Sequence, residues 1–355
     1  MNTETLEQIL DLARWAPSGD NAQPWRFEIA AGDHLVVHGF DTRKECVYDM
    51  QGHASHIALG ALLENIAIAA SGHALHADIS LMADSSDEHP LFDVRFTTES
   101  GLTPDPLIGH IRTRSVQRRP YGRRALTEEQ KNSLRLALGQ KHDVVWLEGN
   151  SRMRMAGILS QAGKLRLTIP EAYQVHKKVI AWHSRYSEDR VPDQAIGLDR
   201  LTLGLMKKVM SSWKRVEFFN TFLMGTLIPR IELDIVPALA CAAHFVILAR
   251  RSPNSVMDYA EGGRAVQRFW LTADMLGLQL QPEMSPLIFR NYAAKNVPLS
   301  VRKGAFDEAL SIGQKLDEIM GGKEAGDLAV FMGRVGHAPA AASRSLRLGL
   351  DKLKR

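Results

Sequence analysis

The sequence predicts an α+β protein with antiparallel-rich central sheets flanked by helices, built as two half-units in one chain that form a pseudo-dimer. Three observations carry this expectation. Apolar residues switch between helical and strand spacing along the 355 residues. Short strand signals come as hairpins with turn residues between them. The order strand, glycine-flanked apolar helix, strand occurs twice, once around Gly60 to Gly72 and again around Gly263 to Gly277, as a duplicated unit would show it.

Residues 5–15 place Leu6, Ile9, Leu10 and Ala13 on one helical face, and Ala16-Pro17-Ser18-Gly19 stops that helix. Residues 25–30 and 34–40 read as two strands joined by Ala31-Gly32-Asp33. Residues 57–71 are apolar on most faces and read as a buried central helix closed at Gly72. Strands at 77–82 and 91–97 flank a polar tip at 83–90. Gly101, Pro104 and Pro106 then mark a boundary, which divides the chain into halves 1–103 and 104–355.

In the second half, residues 127–138 form a helix in which Thr127 and Gln130 stand at capping-box spacing. A strand is expected at 144–147, helices at 153–167 and 171–184, an apolar strand at 240–248, a helix at 264–276 ended by Gly277, and a last strand at 329–334. Residues 186–236, rich in glycine and proline around the amphipathic stretch 203–210, read as a lid-like insertion. Its Lys207, Lys208, Lys214 and Arg215 leave a membrane-surface face as the other reading of that stretch.

Composition narrows the function classes. With 45% hydrophobic and 24% charged residues the chain can bury one large or two ordinary domains, which excludes disordered, collagenous and disulfide-scaffold proteins. Two cysteines, Cys46 and Cys241, suit a reducing compartment and supply neither a disulfide framework nor a four-cysteine zinc site. The opening residues carry acids and no secretory pattern, so a cytoplasmic protein is expected. The apolar stretches 57–71 and 236–250 fall short of the roughly 20 residues that cross a bilayer. His53 and His56 have ligand spacing without a third ligand set, so no metal is expected.

Lysine and arginine exceed the acids only by 44 to 40, but the surplus is clustered. Six of the thirteen residues from Arg112 to Arg124 are arginine, and five basic residues lie between Arg344 and Arg355 against the single acid Asp351. Arginine forks grip phosphate oxygens with charge-assisted hydrogen bonds of about 1.5 to 3 kcal/mol each, so these clusters point to a phosphate. A solvated basic linker and a disordered basic tail are the competing readings. No aromatics interleave with the arginines, so nucleic acid is not an expected partner, and neither is a membrane. The chain also lacks the glycine-rich phosphate loops and the HExxH zinc motif. The loop Ala16-Pro17-Ser18-Gly19-Asp20-Asn21-Ala22-Gln23-Pro24-Trp25 is dense in small residues and side-chain donors suited to a polar ligand, or else is a plain turn into a strand.

Residues Arg14 to Trp25 are similar to the APSxxNxQPW motif of the FMN-dependent nitroreductase family, in which that loop reaches the flavin. The stretch Arg114-Ser115-Val116-Gln117-Arg118-Arg119-Pro120-Tyr121, followed by Leu126-Thr127-Glu128-Glu129, resembles the arginine motif of the same family. Here the arginines follow the loop, whereas in the family they precede it. That inversion resembles the long, duplicated single-chain members, the Acg-like proteins and the nitroreductase-like proteins linked with molybdopterin biosynthesis. The resemblance implies a nitroreductase-like fold and one FMN per chain. Pro17, Ser18, Gly19 and Asn21 would come from the first half, and Arg114, Gln117 and Arg118 from the second, with Arg344 or Arg347 added from the carboxyl end. Pro282, Glu283 and Met284 would lie beside the flavin ring with their backbone amides toward N5. The implied activity is hydride transfer from NADH or NADPH through flavin to a small conjugated or nitro-type acceptor, with no side chain singled out as catalytic. The implied alternative is flavin storage without turnover, and the implied state is a monomeric pseudo-dimer more than an obligate homodimer.

Overall fold

The computed structural model describes residues 2–31 and 33–355. Gly32, the centre of the first expected turn, lies outside the described residues.

Two four-stranded sheets, each antiparallel throughout, give the α+β class that the sequence predicts. The first takes the order Trp25–Ala31, His34–Gly39, Leu91–Thr98, Leu75–Leu81. Along His34–Gly39 buried and half-buried residues alternate, because successive side chains leave opposite faces of a strand. Leu35 and Val37 thereby join Phe27, Phe92 and Val94 in one core with the amino-terminal helix Thr3–Ala13. The second sheet takes the order Gln279–Pro282, Ala329–Gly336, Ala243–Ala249, His142–Leu147. Its strand Ala329–Gly336 is buried at every position, as a central strand covered on both faces must be.

Two long helices, His53–Ser71 and Val256–Met275, cross between the sheets at a pair of glycines. A Cβ on Gly60 would lie 1.9 Å from the Ala260 carbonyl oxygen, and one on Gly263 would lie 2.0 Å from that of Ile57. Only glycine lets these backbones touch. The crossing is reinforced by polar side chains: Arg264 and Arg268 donate to Glu64 at 2.7 and 2.8 Å, and Gln267 donates to the buried Asn65 at 2.6 Å. The helical stretch Met50–Ser71 is apolar and long enough to cross a membrane, yet it is nearly all buried in this core.

Several elements depart from the sequence expectation. The helix expected at 264–276 begins at Val256, because Ser255 and Asp258 form a reciprocal capping box, each side chain accepting from the other's backbone N–H at 3.1 Å. Replacing Ser255 with alanine is expected to cost about 1 kcal/mol of stability, read as a lower urea midpoint at unchanged slope. The capping box of Thr127 and Gln130 forms as the spacing indicates. The helix expected to reach residue 184 ends at Val179, where Ile180–Ala181 pairs with Val191–Pro192. Residues 281 and 282, expected in a loop, close the edge strand Gln279–Pro282. Helices Ser285–Ala294, Ala305–Met320 and Lys323–Leu328 were not anticipated; the first two bury Leu287, Phe289, Ile312 and Leu316 in a core shared with the helix Asn150–Thr168.

The basic carboxyl end is ordered rather than a loose tail. It returns to the first sheet, where Lys354 bridges Phe27 and the Arg355 N–H donates to the Phe27 carbonyl at 2.8 Å. Within 186–236, Val191 lines the main cavity, while the helices Arg200–Val209 and Trp213–Phe222 stand outside it and expose Leu201, Phe218 and Phe222.

Candidate functional site

Where the helix crossing meets the loop after the first helix, the protein encloses a cavity of about 310 Å³, within the usual size of small-molecule sites. The crossing helices supply its apolar wall, Ala54, Ile57, Ala58 and Ala61 from one and Val266 and Trp270 from the other. Small residues there leave a flat surface. Pro17 to Asn21 form one rim, with Asp20 and Asn21 in the left-handed region at φ 51° and 62°. Asx residues adopt that conformation more readily than other side chains. A Cβ on Gly19 would meet nothing within 4 Å, so the space beside it is open to a ligand.

Three arginines from two distant parts of the chain converge on Trp15 and Ala16, just ahead of this rim. Arg114 donates to the Trp15 carbonyl at 3.0 Å and lies 4.5 Å from the centre of the Trp270 ring. Arg347 donates through Nε to the Ala16 carbonyl at 2.8 Å. Arg344 lies 5.2 Å from the centre of the Trp15 ring and only grazes the carbonyls of Thr113 and Arg114 at 3.4 Å. Arg114 and Arg347 are 2% and 8% exposed, and among the described residues none of the three has a carboxylate partner. The Nε atoms of Arg114 and Arg344 are buried without any hydrogen-bond partner. Burial and the Arg344 charge pull the Arg114 pKa down to about 9, which leaves it protonated at neutral pH. Arg347 is pushed down further, by burial and then by Arg114, Arg344 and Arg14.

Arg118 also lines the cavity but keeps other company. It donates to the Ala195 carbonyl at 3.1 Å, and the charges acting on it are Asp20, Arg166 and Arg334. The sequence motif that holds Arg114 and Arg118 together therefore splits between two groups. Near Arg118 the cavity wall carries Asp20, Tyr48, Arg166 and His176, none of which the sequence singled out. Tyr48 and His176 are hydrogen-bonded at 3.1 Å and stacked at 5.8 Å between ring centres. Burial, and then Arg166, hold the His176 pKa down to about 3, so the imidazole is neutral.

Of the residues expected at a ligand, Pro17, Ser18, Gly19, Asn21, Arg114, Arg118, Pro282, Met284, Arg344 and Arg347 line the cavity. Gln117 does not: its amide donates to the Pro339 carbonyl at 2.9 Å and accepts the Arg119 N–H, so it braces the backbone. Nor does Glu283. Its carboxylate is 2.6 Å from His244 Nδ1 on the far side of the strand, and its N–H donates to the Met332 carbonyl, so that amide is unavailable to a ligand. Pro282 has no N–H to offer. The Asn21 amide is likewise spent on the Glu188 and Arg190 carbonyls at 2.9 and 3.4 Å, although its oxygen remains buried and unpartnered. Gln23 ties the same segment down, donating to Glu188 and accepting the Leu348 N–H. His53 stacks on Tyr259 at 3.9 Å, and His56 contacts the Asp87 carbonyl at 2.8 Å through Nε2 while its Nδ1 is buried without a partner.

The rim loop of the cavity lies within residues 1–55, which match the model described as the nitroreductase family. The whole chain is similar to an uncharacterized protein of Mycobacterium tuberculosis (strain CDC 1551 / Oshkosh), at 25% identity over 353 residues. That alignment takes in 97% of this chain and 47% of the other, so the chain spans about half the length of the curated relative it matches. A solved nitroreductase-like family protein from Bacillus cereus aligns at 13% identity and a TM-score of 0.33, over 70% of this chain and 95% of that one. The matched segment thus holds the Pro17 to Asn21 rim and Tyr48, whereas the cavity arginines among the described residues come from outside it.

Proposed function

We propose that the protein is an FMN-binding, nitroreductase-like oxidoreductase that passes hydride from NADH or NADPH through the flavin to a small conjugated or nitro-type acceptor. The observation that carries the reading is the group Arg114, Arg344 and Arg347 beside the rim loop, the first and last buried and Arg344 half-buried, with no carboxylate partner among the described residues. Taking a charge out of water costs several kcal/mol unless a partner compensates it. A phosphate monoester supplies that partner, and the two orphaned Nε–H groups are donors of the type that phosphate oxygens accept. The donor set therefore fits FMN.

Bound flavin would supply the hydride chemistry itself. The chain's own part is to bind and to screen. Trp15 and Ala16 carbonyls orient Arg114 and Arg347, and Trp270 supports the Arg114 guanidinium from beneath. The Ala54 to Ala61 wall offers an apolar face to a flat ring and keeps water from it. The same proposal treats 1–103 and 104–355 as half-units of one pseudo-dimer, and the reciprocal contacts of Gly60 and Gly263 support it.

One observation favours storage without turnover as the second reading. Asn21, Gln23 and Ser345 tie residues 188–190 across the cavity rim, through the Glu188 and Arg190 carbonyls. Anaerobic addition of NADH or NADPH to the purified protein separates the two. Flavin absorbance that bleaches within seconds is the result expected of the oxidoreductase. A flavin that dithionite reduces and nicotinamides do not would establish storage, and a protein that takes up no flavin would defeat both.

A further inference from the structure

The cavity has a polar group that a phosphate clamp does not use. Arg166, on the helix Asn150–Thr168, reaches the cavity beside Tyr48 and His176, which come from a loop of the first half and from the helix Pro170–Val179. Its one charged contact is a long one, 3.3 Å from NH2 to Asp234. Its Nε is buried with no partner, and so is the second oxygen of Asp234. A guanidinium carries five N–H donors in a planar fork that matches a carboxylate, and here most of that fork is unspent. Arg118 adds a second unpaired guanidinium nearby.

We propose that Arg166, with the Tyr48 hydroxyl, forms a carboxylate-recognising subsite, so that the acceptor is a small planar conjugated carboxylate. The proposal rests on the flavin reading for what happens to that acceptor, and on this cavity alone for its binding. Tyr48 and His176 complete the subsite because the imidazole is neutral. When Nε2 carries the ring hydrogen and donates it to the Tyr48 oxygen, the phenolic hydrogen is free to point at a carboxylate oxygen. Asp234 does not saturate the Arg166 fork, which it meets with one oxygen at 3.3 Å while the Arg166 Nε stays unpartnered. Burial raises the pKa of Asp20, and raises that of Asp234 to about 6. A ligand carboxylate is the better counter-charge because it brings two oxygens to a fork that Asp234 meets with one.

The test uses the purified full chain and two probes of equal shape, cinnamate and its neutral analogue cinnamamide, titrated by calorimetry. Wild-type protein is expected to bind cinnamate at least about 10-fold more tightly than cinnamamide. Arg166→Met is expected to erase that preference while flavin content stays at the wild-type ratio, with Arg166→Lys restoring part of it. Tyr48→Phe is expected to weaken cinnamate several-fold and leave cinnamamide unchanged, which keeps the proposal testable if Arg166→Met folds poorly. Equal binding of the two probes by wild-type protein overturns the subsite, as does an undiminished preference in both variants. Loss of flavin from Arg166→Met overturns it too, by placing Arg166 in the cofactor site. A wild-type protein that holds no flavin yet prefers cinnamate would overturn the flavin reading and leave the subsite standing.

Discussion

Alanine at Gly60 or at Gly263 is expected to destabilise the protein by about 3 kcal/mol or more, a large effect for one methyl group. The added carbon would sit 1.9 or 2.0 Å from a backbone carbonyl oxygen of the facing helix, and a carbonyl inside a helix cannot turn aside as a flexible side chain does. The helices must then separate. That movement strains the Glu64 contacts to Arg264 and Arg268 and the buried pair of Asn65 and Gln267. It also opens the wall formed by Ala54, Ile57, Val266 and Trp270, so ligand retention falls with stability. Gly157→Ala is the control, since a Cβ there meets nothing within 4 Å and alanine in a helix interior is favourable by roughly 0.5 to 1 kcal/mol. Thermal melting checks both. A Gly60→Ala protein that melts with the wild type would show that the crossing tolerates separation and would remove the reciprocal contact as support for paired half-units.

The second large effect falls on the arginines. Arg114→Met is expected to weaken FMN about 10- to 100-fold, and Arg114→Met with Arg344→Met about 100- to 10,000-fold, from roughly 1.5 to 3 kcal/mol per charge-assisted bond. Methionine keeps much of the packing against Trp270 and removes the charge. Riboflavin, which has no phosphate, is expected to bind the variants as it binds the wild type. The flavin-free double variant is also expected to be no less stable than the flavin-free wild type, because one buried and one half-buried charge without a carboxylate partner have gone. Titration of both flavins, monitored by flavin fluorescence, decides the matter. Equal losses for FMN and riboflavin would move these arginines from the phosphate to the ring, and unchanged FMN binding would end the clamp assignment.

Much of the architecture could be read residue by residue. Local patterns specify local structure: the spacing of Leu6, Ile9, Leu10 and Ala13 makes a helix, Leu35 and Val37 alternate inward on a strand, and Thr127 with Gln130 caps a helix. The family loop was legible for the same reason, since its prolines, glycine and asparagine act through their own backbone. Arg114, Arg344 and Arg347 were legible as members of two basic clusters, although 230 residues separate the first two. The Ser255 box was also open to reading, as S-x-x-D ahead of an apolar run.

What a side chain faces is another kind of information. Gln117 sits inside the arginine motif, yet Pro339, more than two hundred residues away, claims its amide. Glu283 follows a cavity residue by one position, and strand alternation alone turns it away to His244. Arg166 and His176 carry no motif at all, because a lone arginine or histidine on a helix is usually solvated or structural. They become a group with Tyr48 only when two helices and a loop more than a hundred residues earlier in the chain are packed together. The sequence by itself determined most of the elements, the class of the fold, the rim loop and the clustering of basic residues, all of which depend on neighbours within a few turns of chain. Tertiary structure decided the two glycines that let the central helices touch, the parting of Arg114 from Arg118, and the second polar group of the cavity, because each depends on distances between atoms far apart in sequence.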